Sequence, residues 1–333
     1  MLLGLLLLLS AHAAPLSTLV ETHPTTAVGA CATASHRAEL PIRLDEDALV
    51  YVEVAEWDAP VVAGLAEGSS VCHGAFSPPP PRTLAARAPR AMVRWLPAGQ
   101  HQLTLDSTTP ASAVVSVSIV SPRVLVESGV HPVLARSALL AADHAWTDGH
   151  ANRTTLAVAD FSLPSTTERL WLLDLADGTV RLHAFLSHGK GSGHPTDAAR
   201  AVRFSNRPHS NQTSLGLFRA SETYTGDHGR SMRLDGLEPG VNDLARDRAI
   251  VVHGAEYARV DHIAEWGYLG RSHGCPALDD RLVQGLIDAL HDGGLLYAWG
   301  GPRSGDCCTL RAGTEPSPDA PYLPDPLGLV SIY

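Results

Sequence analysis

The chain has 333 residues, a length that fits two domains or one large one. Apolar residues make up 44% and charged residues 18%, an ordinary globular composition with length enough to bury a core. The formal net charge is −10 and the cations are 24 arginines and a single lysine, Lys190; this argues against a nucleic-acid binder, which needs a dense cationic face, and no apolar run approaches the ~20 residues of a membrane span.

Residues 2–9 form an apolar run broken only by Gly4, followed by Ser10 and the small-x-small pattern Ala11-His12-Ala13. This is the layout of a secretory signal peptide over residues 1–13, although no Lys or Arg precedes the run. It implies an exported protein of the periplasm or cell envelope. Residues 28–31 look like a lipoprotein cleavage box but lie too far beyond the apolar run. Residues 14–37 are small, polar and rich in Thr and Ala, the composition of a disordered lead-in.

From Leu40 onward come short β-branched runs, several of them alternating, as in Val50, Val52 and Val54 or Val115, Val117 and Ile119. Pro, Gly, Asp and Ser clusters separate them. The spacing predicts a β-sandwich accessory module over 38–122, with a stiff Pro-rich loop at 77–82. That module offers no identifiable site and is a candidate for binding glycan or protein.

Residues 121–132 predict a linker, and apolar residues at helical spacing predict a helix over 132–146. A strand, "TLAVADFSL", and a strand–Asp-Gly–strand hairpin follow. A Gly/Ser/Asn-rich stretch covers 188–216, and "RAIVVHGAEY" predicts a buried strand ending in a loop. Residues 279–294 predict a helix capped by Asp279 or Asp280 and stopped by a Gly pair. "GLLYAW" predicts a last strand, before a Pro/Gly-rich tail over 301–333. No internal repeat is visible.

The five cysteines are Cys31, Cys72, Cys275, Cys307 and Cys308. In an exported protein an odd count leaves at least one thiol without an intramolecular partner. Cys31 can pair with Cys72, and Cys307 with Cys308 or with neither, since sequence alone does not set connectivity. Cys275 differs from the rest. It sits in "GRSHGCPAL", at a turn that Gly274 frees from ordinary backbone limits and that precedes a predicted helix. Consecutive backbone N–H groups at such a turn can converge on one point, as in an oxyanion hole. A thiol near a helix start and a histidine is expected to have a lowered pKa. His253 ends the buried strand 22 positions earlier, where a histidine can act as base for a thiol on a second loop. Alone, either residue reads as structural; together they read as a nucleophile and its base.

"VVHGA" followed by "RSHGC" resembles the murein L,D-transpeptidase catalytic family (YkuD-like), and the flanking stretches "VADFSLPSTTERLWLLDL", "SHGKGSG", "FSNRPHSNQTSLGLF" and "YTGDHGRSMRLDGLEPGVNDLARDRAIVVHGAEY" extend the likeness over residues 130–300. It does not cover the N-terminal module. Pro276-Ala277 follows the cysteine where many members carry Arg or Asn, and the His-to-Cys loop is slightly longer than the commonest spacing. The resemblance implies a β-rich transpeptidase domain with a few helices, which with the β-sandwich predicted from strand spacing makes a mainly β protein, the sandwich N-terminal to the catalytic domain.

The resemblance further implies that Cys275 attacks a peptidoglycan stem peptide at the bond between its third residue, a diamino acid, and the terminal D-alanine. His253 takes the thiol proton, the Gly254 carbonyl orients the imidazole, and the Gly274 and Cys275 amides hold the oxyanion. His273 lines the site and Ser272 braces the turn. A thioester then passes to an amine, giving a 3→3 cross-link, or to water. His188, Arg233 and Arg271 are candidates for meeting stem carboxylates, Arg because its planar fork matches a carboxylate. Tyr224 and Asn242 are candidates either for shaping the groove or for holding loops. The competing readings are an L,D-carboxypeptidase or other cell-wall cysteine peptidase or amidase, and an inactive cell-wall binding protein. Despite 17 histidines, no metal site is expected, because His183, His188 and His194 lack ligand spacing and no Cys-x-x-Cys occurs. No cofactor is expected either.

Overall fold

The computed structural model describes residues 16–21, 23–24, 36–57, 62–67, 90–107 and 109–302. The signal segment 1–13, Cys31, Cys72, the Pro-rich loop at 77–82, Cys307, Cys308 and the tail from 303 onward lie outside the described residues. The chain forms two units, one running to Val124 and including Leu175–Gly178, the other comprising Leu125–Asp174 and the chain from Thr179 onward.

The first unit contains strands β1 (Leu16–Glu21), β2 (His23–Pro24), β3 (His36–Leu44), β4 (Ala48–Trp57), β5 (Val62–Glu67), β6 (Arg90–Leu96), β7 (Gly99–Ser107) and β8 (Ser112–Val120). They make two four-stranded sheets, in the orders β1-β8-β4-β6 and β2-β3-β7-β5. The alternating residues explain the arrangement. Val50, Val52 and Val54 on β4 and Val115, Val117 and Ile119 on β8 share a buried cluster with Ile42, Leu103 and Leu105 of the other sheet. This is a β-sandwich, with period-2 side chains turned inward from both layers. The lead-in departs from its expected disorder: β1 pairs antiparallel with β8, from Leu16 opposite Val117 to Glu21 opposite Ser112, and Val20 is buried. The apolar flank of β8 would otherwise be an open edge, which favours recruiting any segment able to pair with it.

Residues 121–132 are also more than a linker. They hold helix α1 (Pro122–Glu127), and the Trp171 indole donates to the Ser128 carbonyl at 2.8 Å. The second unit continues with α2 (Pro132–Thr147), β9 (Thr155–Asp160), β10 (Leu170–Asp174), β11 (Thr179–Ala184), β12 (Gly216–Gly226), β13 (Gly229–Gly236), β14 (Val251–Gly254), α3 (Val260–Trp266), β15 (Ala277–Leu278), α4 (Val283–Leu290) and β16 (Leu295–Trp299). Pro132 starts α2, and the His131 ring caps it by accepting the Val133 N–H.

The eight-stranded sheet has the order β11-β10-β9-β16-β12-β13-β14-β15. β16 pairs parallel with β9 and β14 with β15, and the other pairings are antiparallel. Every residue of β16 is buried. Leu296 and Ala298 join the core that α4 closes with Leu286, Ile287 and Leu290, while Tyr297 meets Ser137 of α2. Burial on both faces explains a continuous apolar run rather than an alternating one. Among the described residues no helix is long and apolar enough to cross a membrane.

Helix α4 starts later than the sequence predicts, and neither acid caps it. Asp279 accepts the Arg281 amide and guanidinium, and Asp280 pairs with Arg259 at 2.6 Å. The helix is instead led in by a turn whose Asp279 carbonyl accepts the Leu282 and Val283 amides.

Two buried polar groups fix the loops around the sheet. Asn242 is fully buried; its amide donates to the Leu215 and Leu217 carbonyls, and its oxygen accepts the Glu238 N–H. Glu238 in turn accepts the Leu217 N–H at 2.6 Å, and burial pushes its carboxyl up to about 7. The folded chain therefore keeps a proton that the unfolded chain releases near 4.5. Stability is expected to fall as pH rises from about 4.5 to about 7, by roughly 3 kcal/mol at most. Glu238→Gln should remove that decline, as read from denaturant midpoints across the range.

Candidate active site

Strand β14 delivers His253. Val251 and Val252 are buried, so the strand is pinned, and His253 sits at its last turnout with 3% exposure. Its Nδ1 lies 3.0 Å from the Gly254 carbonyl oxygen. A carbonyl only accepts, so Nδ1 carries the proton and Nε2 is left with a lone pair. Gly254 must be small, because a Cβ there would meet Asp280 Cα at 2.8 Å. The His228 ring stacks on His253 at 4.2 Å and 20°, and Tyr257 stands edge-on at 6.4 Å. Burial lowers the His253 pKa, a charge on His228 lowers it further, and the Gly254 carbonyl opposes them.

The cysteine lies beside this strand. β15 runs parallel to β14 with Ala277 opposite His253, which brings Cys275, two residues earlier, to the same end of the sheet. The turn before it is braced by Ser272, whose hydroxyl donates to the Cys275 carbonyl at 2.6 Å and accepts the Gly274 N–H at 3.1 Å. A neighbouring segment clamps the turn from outside. Ser272 N–H donates to the His188 carbonyl at 3.0 Å, and Lys190 N–H donates to the Ser272 carbonyl at 2.8 Å. Gly274 has φ +124°, and a Cβ there would strike the Gln212 carbonyl at 2.8 Å, so both conformation and space demand glycine.

Cys275 is half-buried and free. Its thiol donates to the Ala249 carbonyl at 3.7 Å, from a residue held at φ +54°. The thiol pKa is raised rather than lowered, contrary to the expectation from a helix start. Burial dominates, and the Val251 amide and the Arg248 charge only partly offset it. Four residues of turn separate Leu278 from the first residue of α4, so the helix terminus is not against the sulfur. The resting pair is therefore a neutral thiol and a neutral imidazole. Of the two amides expected to hold an oxyanion, that of Gly274 donates to Ser272 Oγ, whereas that of Cys275 makes no backbone hydrogen bond among the described residues.

The other predicted residues divide. His273 is exposed, with Nε2 2.9 Å from Lys190 Nζ. Arg271 is exposed, its guanidinium 5.7 Å from the Tyr268 ring. Arg233 stacks over Tyr224 at 4.5 Å and is paired with Glu222 at 3.3 Å, so these two candidates meet each other. His188 is fully buried; its Nδ1 accepts from Arg169 at 2.9 Å, and burial with the nearby arginines pushes its pKa to about 3. It stays neutral and contributes its backbone carbonyl to the clamp. Among the described residues no group of three or more His, Cys, Asp or Glu side chains is placed to hold a metal ion.

The model of one protein family, the L,D-transpeptidase catalytic domain, matches residues 127–299. The chain belongs to that family. The family acts on peptidoglycan stem peptides and is typically associated with the cell envelope. Solved structures similar to this chain include an L,D-transpeptidase from Mycobacterium smegmatis, at 18% identity and TM-score 0.27 over 44% of this chain and 59% of that one. LdtMt1 in complex with imipenem is 13% identical, with TM-score 0.27 over 61% and 75%. An L,D-transpeptidase (Yku) from Stackebrandtia nassauensis is 13% identical, with TM-score 0.26 over 54% and 76%. This chain thus spans 59% of the length of the first. No curated protein sequence matches it.

Three residues at the site escape a sequence reading. His228 stands at the two-residue turn between β12 and β13, where Gly226 pairs with Gly229. Tyr257 lies in a short turn after β14, and burial together with the Cys275 charge pushes its hydroxyl up to about 12. Arg248 donates to the Ser205 and Gln212 carbonyls at 2.7 Å each and to the hydroxyls of Ser210 and Ser214. The Gln212 carbonyl is the atom that blocks a side chain at Gly274, so Arg248 packs behind the cysteine turn. The available signal was an arginine five positions before His253, next to a left-handed Ala249.

Alkylation of Cys275 by iodoacetamide should therefore rise only at pH above the ordinary thiol range. Arg248→Met removes the one charge that lowers the thiol pKa and should move that profile to still higher pH, slowing the reaction at neutral pH roughly threefold to tenfold. Arg248→Lys should keep most of the wild-type rate.

Proposed function

We propose that the protein is an exported peptidoglycan L,D-transpeptidase with Cys275 as nucleophile and His253 as base. The observation that carries this reading is the braced Ser272–Cys275 turn beside an imidazole whose Nδ1 is held by the Gly254 carbonyl and whose Nε2 is free to accept a proton. The apolar run at residues 2–9 supports export.

The reaction starts from the neutral pair. The thiol proton moves to His253 Nε2 as the sulfur attacks the carbonyl carbon of the bond between the diamino acid and the terminal D-alanine. A C–S bond forms, and the carbonyl oxygen takes the electron pair. The Cys275 amide is the donor available to that oxyanion; the Gly274 amide joins it if Ser272 Oγ releases it. Protonated His253 then gives its proton to the alanine nitrogen, the C–N bond breaks, and D-alanine leaves a thioester behind. An acceptor amine loses a proton to Nε2 as it attacks the thioester carbon, the C–S bond breaks, and protonated His253 returns that proton to the departing sulfur, restoring the neutral pair. Starting neutral, the pair gains most when general-base transfer and attack occur together.

Incubation with disaccharide tetrapeptides, followed by mass spectrometry, tests the reading. Dimers lacking one D-alanine are expected; shortened monomers alone would assign water as the acceptor. Cys275→Ser should abolish both products, and His253→Ala should lower kcat by about a hundredfold or more with the fold intact. Since LdtMt1 forms a complex with imipenem, that drug should add one mass to the wild type and none to Cys275→Ala. An adduct that persists in the variant would remove Cys275 as nucleophile.

A further inference from the structure

The net charge of the chain is −10, yet exposed cations gather at the cysteine turn. Lys190 is fixed there by its own N–H bond to the Ser272 carbonyl, and its Nζ lies 2.9 Å from His273 Nε2. Arg203 donates to the Gly193 carbonyl at 3.3 Å, and a Cβ on Gly193 would lie 2.9 Å from Arg271 Nη1, so both guanidinium groups border the segment that carries Lys190. None of these three cations forms an ion pair with a carboxylate among the described residues, whereas Arg230, Arg233, Arg246, Arg259 and Arg281 each do.

The contact with His273 does not satisfy the lysine. An ammonium only donates, so in this contact His273 Nε2 is the acceptor. The ammonium has two further N–H donors, on a side chain long enough to follow a ligand. Its backbone is bound to the turn that carries the nucleophile, which sets where that charge can reach.

We propose that Lys190 is a specificity-determining residue that binds a carboxylate of the acyl donor beside Cys275, with Arg271 and Arg203 as flanking charges. This rests on the transpeptidase reading for the identity of the donor. Two carboxylates share the required chemistry, that of the terminal D-alanine and that of the diamino acid.

The test is equilibrium binding of the disaccharide tetrapeptide to the full chain carrying Cys275→Ala, with and without Lys190→Met or Lys190→Arg. Lys190→Met should weaken binding about tenfold or more, the scale of one charge-assisted hydrogen bond, and Lys190→Arg should restore most of it. Tetrapeptides amidated at one carboxyl or the other then name the group: the amide that binds equally with and without Lys190→Met has lost the carboxylate concerned. Equal affinity for the unmodified tetrapeptide with and without Lys190→Met, or none in either, overturns the inference. Wild-type turnover of the same donor separates the two claims. Turnover with binding indifferent to Lys190 removes this inference and leaves the transpeptidase reading; Lys190-dependent binding without turnover does the reverse.

Discussion

Two backbone hydrogen bonds, Ser272 N–H to the His188 carbonyl and Lys190 N–H to the Ser272 carbonyl, hold a cysteine turn that has no helix of its own. Close approach makes them possible. A side chain at Gly189 would run into the Asn211 carbonyl and meet Gly274 Cα at 2.8 Å, so two glycines pack face to face. Behind the clamp lies Arg169, entirely buried, donating to the Leu163 and Leu186 carbonyls and to His188 Nδ1. A guanidinium in that position is costly unless its donors are met, and here three backbone and imidazole acceptors meet it. The charge buys position rather than stability: it ties β10 to the segment that grips the cysteine turn.

The same burial sets the electrostatics of the pair. Covering Cys275 and His253 raises one pKa and lowers the other, so both effects favour the uncharged state. Arg248 is the counterweight, yet it is spent mainly on carbonyls and hydroxyls of the 205–214 segment. Its field reaches the sulfur without an ion pair forming. An arrangement of this kind keeps the thiol poorly reactive toward solvent oxidants, which attack the thiolate.

What was legible in the sequence was local. His253 at the end of an apolar run and Cys275 in Ser-His-Gly-Cys carry their context within a few residues, and α2, the β10–β11 hairpin and β16 each follow from a run with one period. What was not legible depends on distant partners. β1 is a strand because β8 offers it an edge. β12 and β13 hold Arg219, Glu222, Arg230 and Arg233 among their apolar residues, which blurs the alternation, and one register shift between Ala220 and Thr223 breaks it. His188 lies near the cysteine turn in space, but its side chain points into the core toward Arg169, a direction that spacing does not reveal. Asp279 and Asp280 look like helix caps, but each had an arginine to pair with.

Strain completes the picture of the turn. Ala249 at φ +54° and Gly274 at φ +124° are both held at positive φ, the first with its carbonyl against the sulfur and the second next to Cys275 in the chain. For Ala249 that conformation costs on the order of 1 kcal/mol, which an unsupported loop would relieve by rotating its carbonyl away. It cannot do so here. The Ile250 N–H is tied to the Ala245 carbonyl, the Ala249 N–H to the Arg246 carbonyl, and Arg248 is anchored in the 205–214 segment. The strained carbonyl is therefore kept where the thiol can donate to it. The bond is long and weak at 3.7 Å, so it orients the sulfur without competing with His253 for the proton.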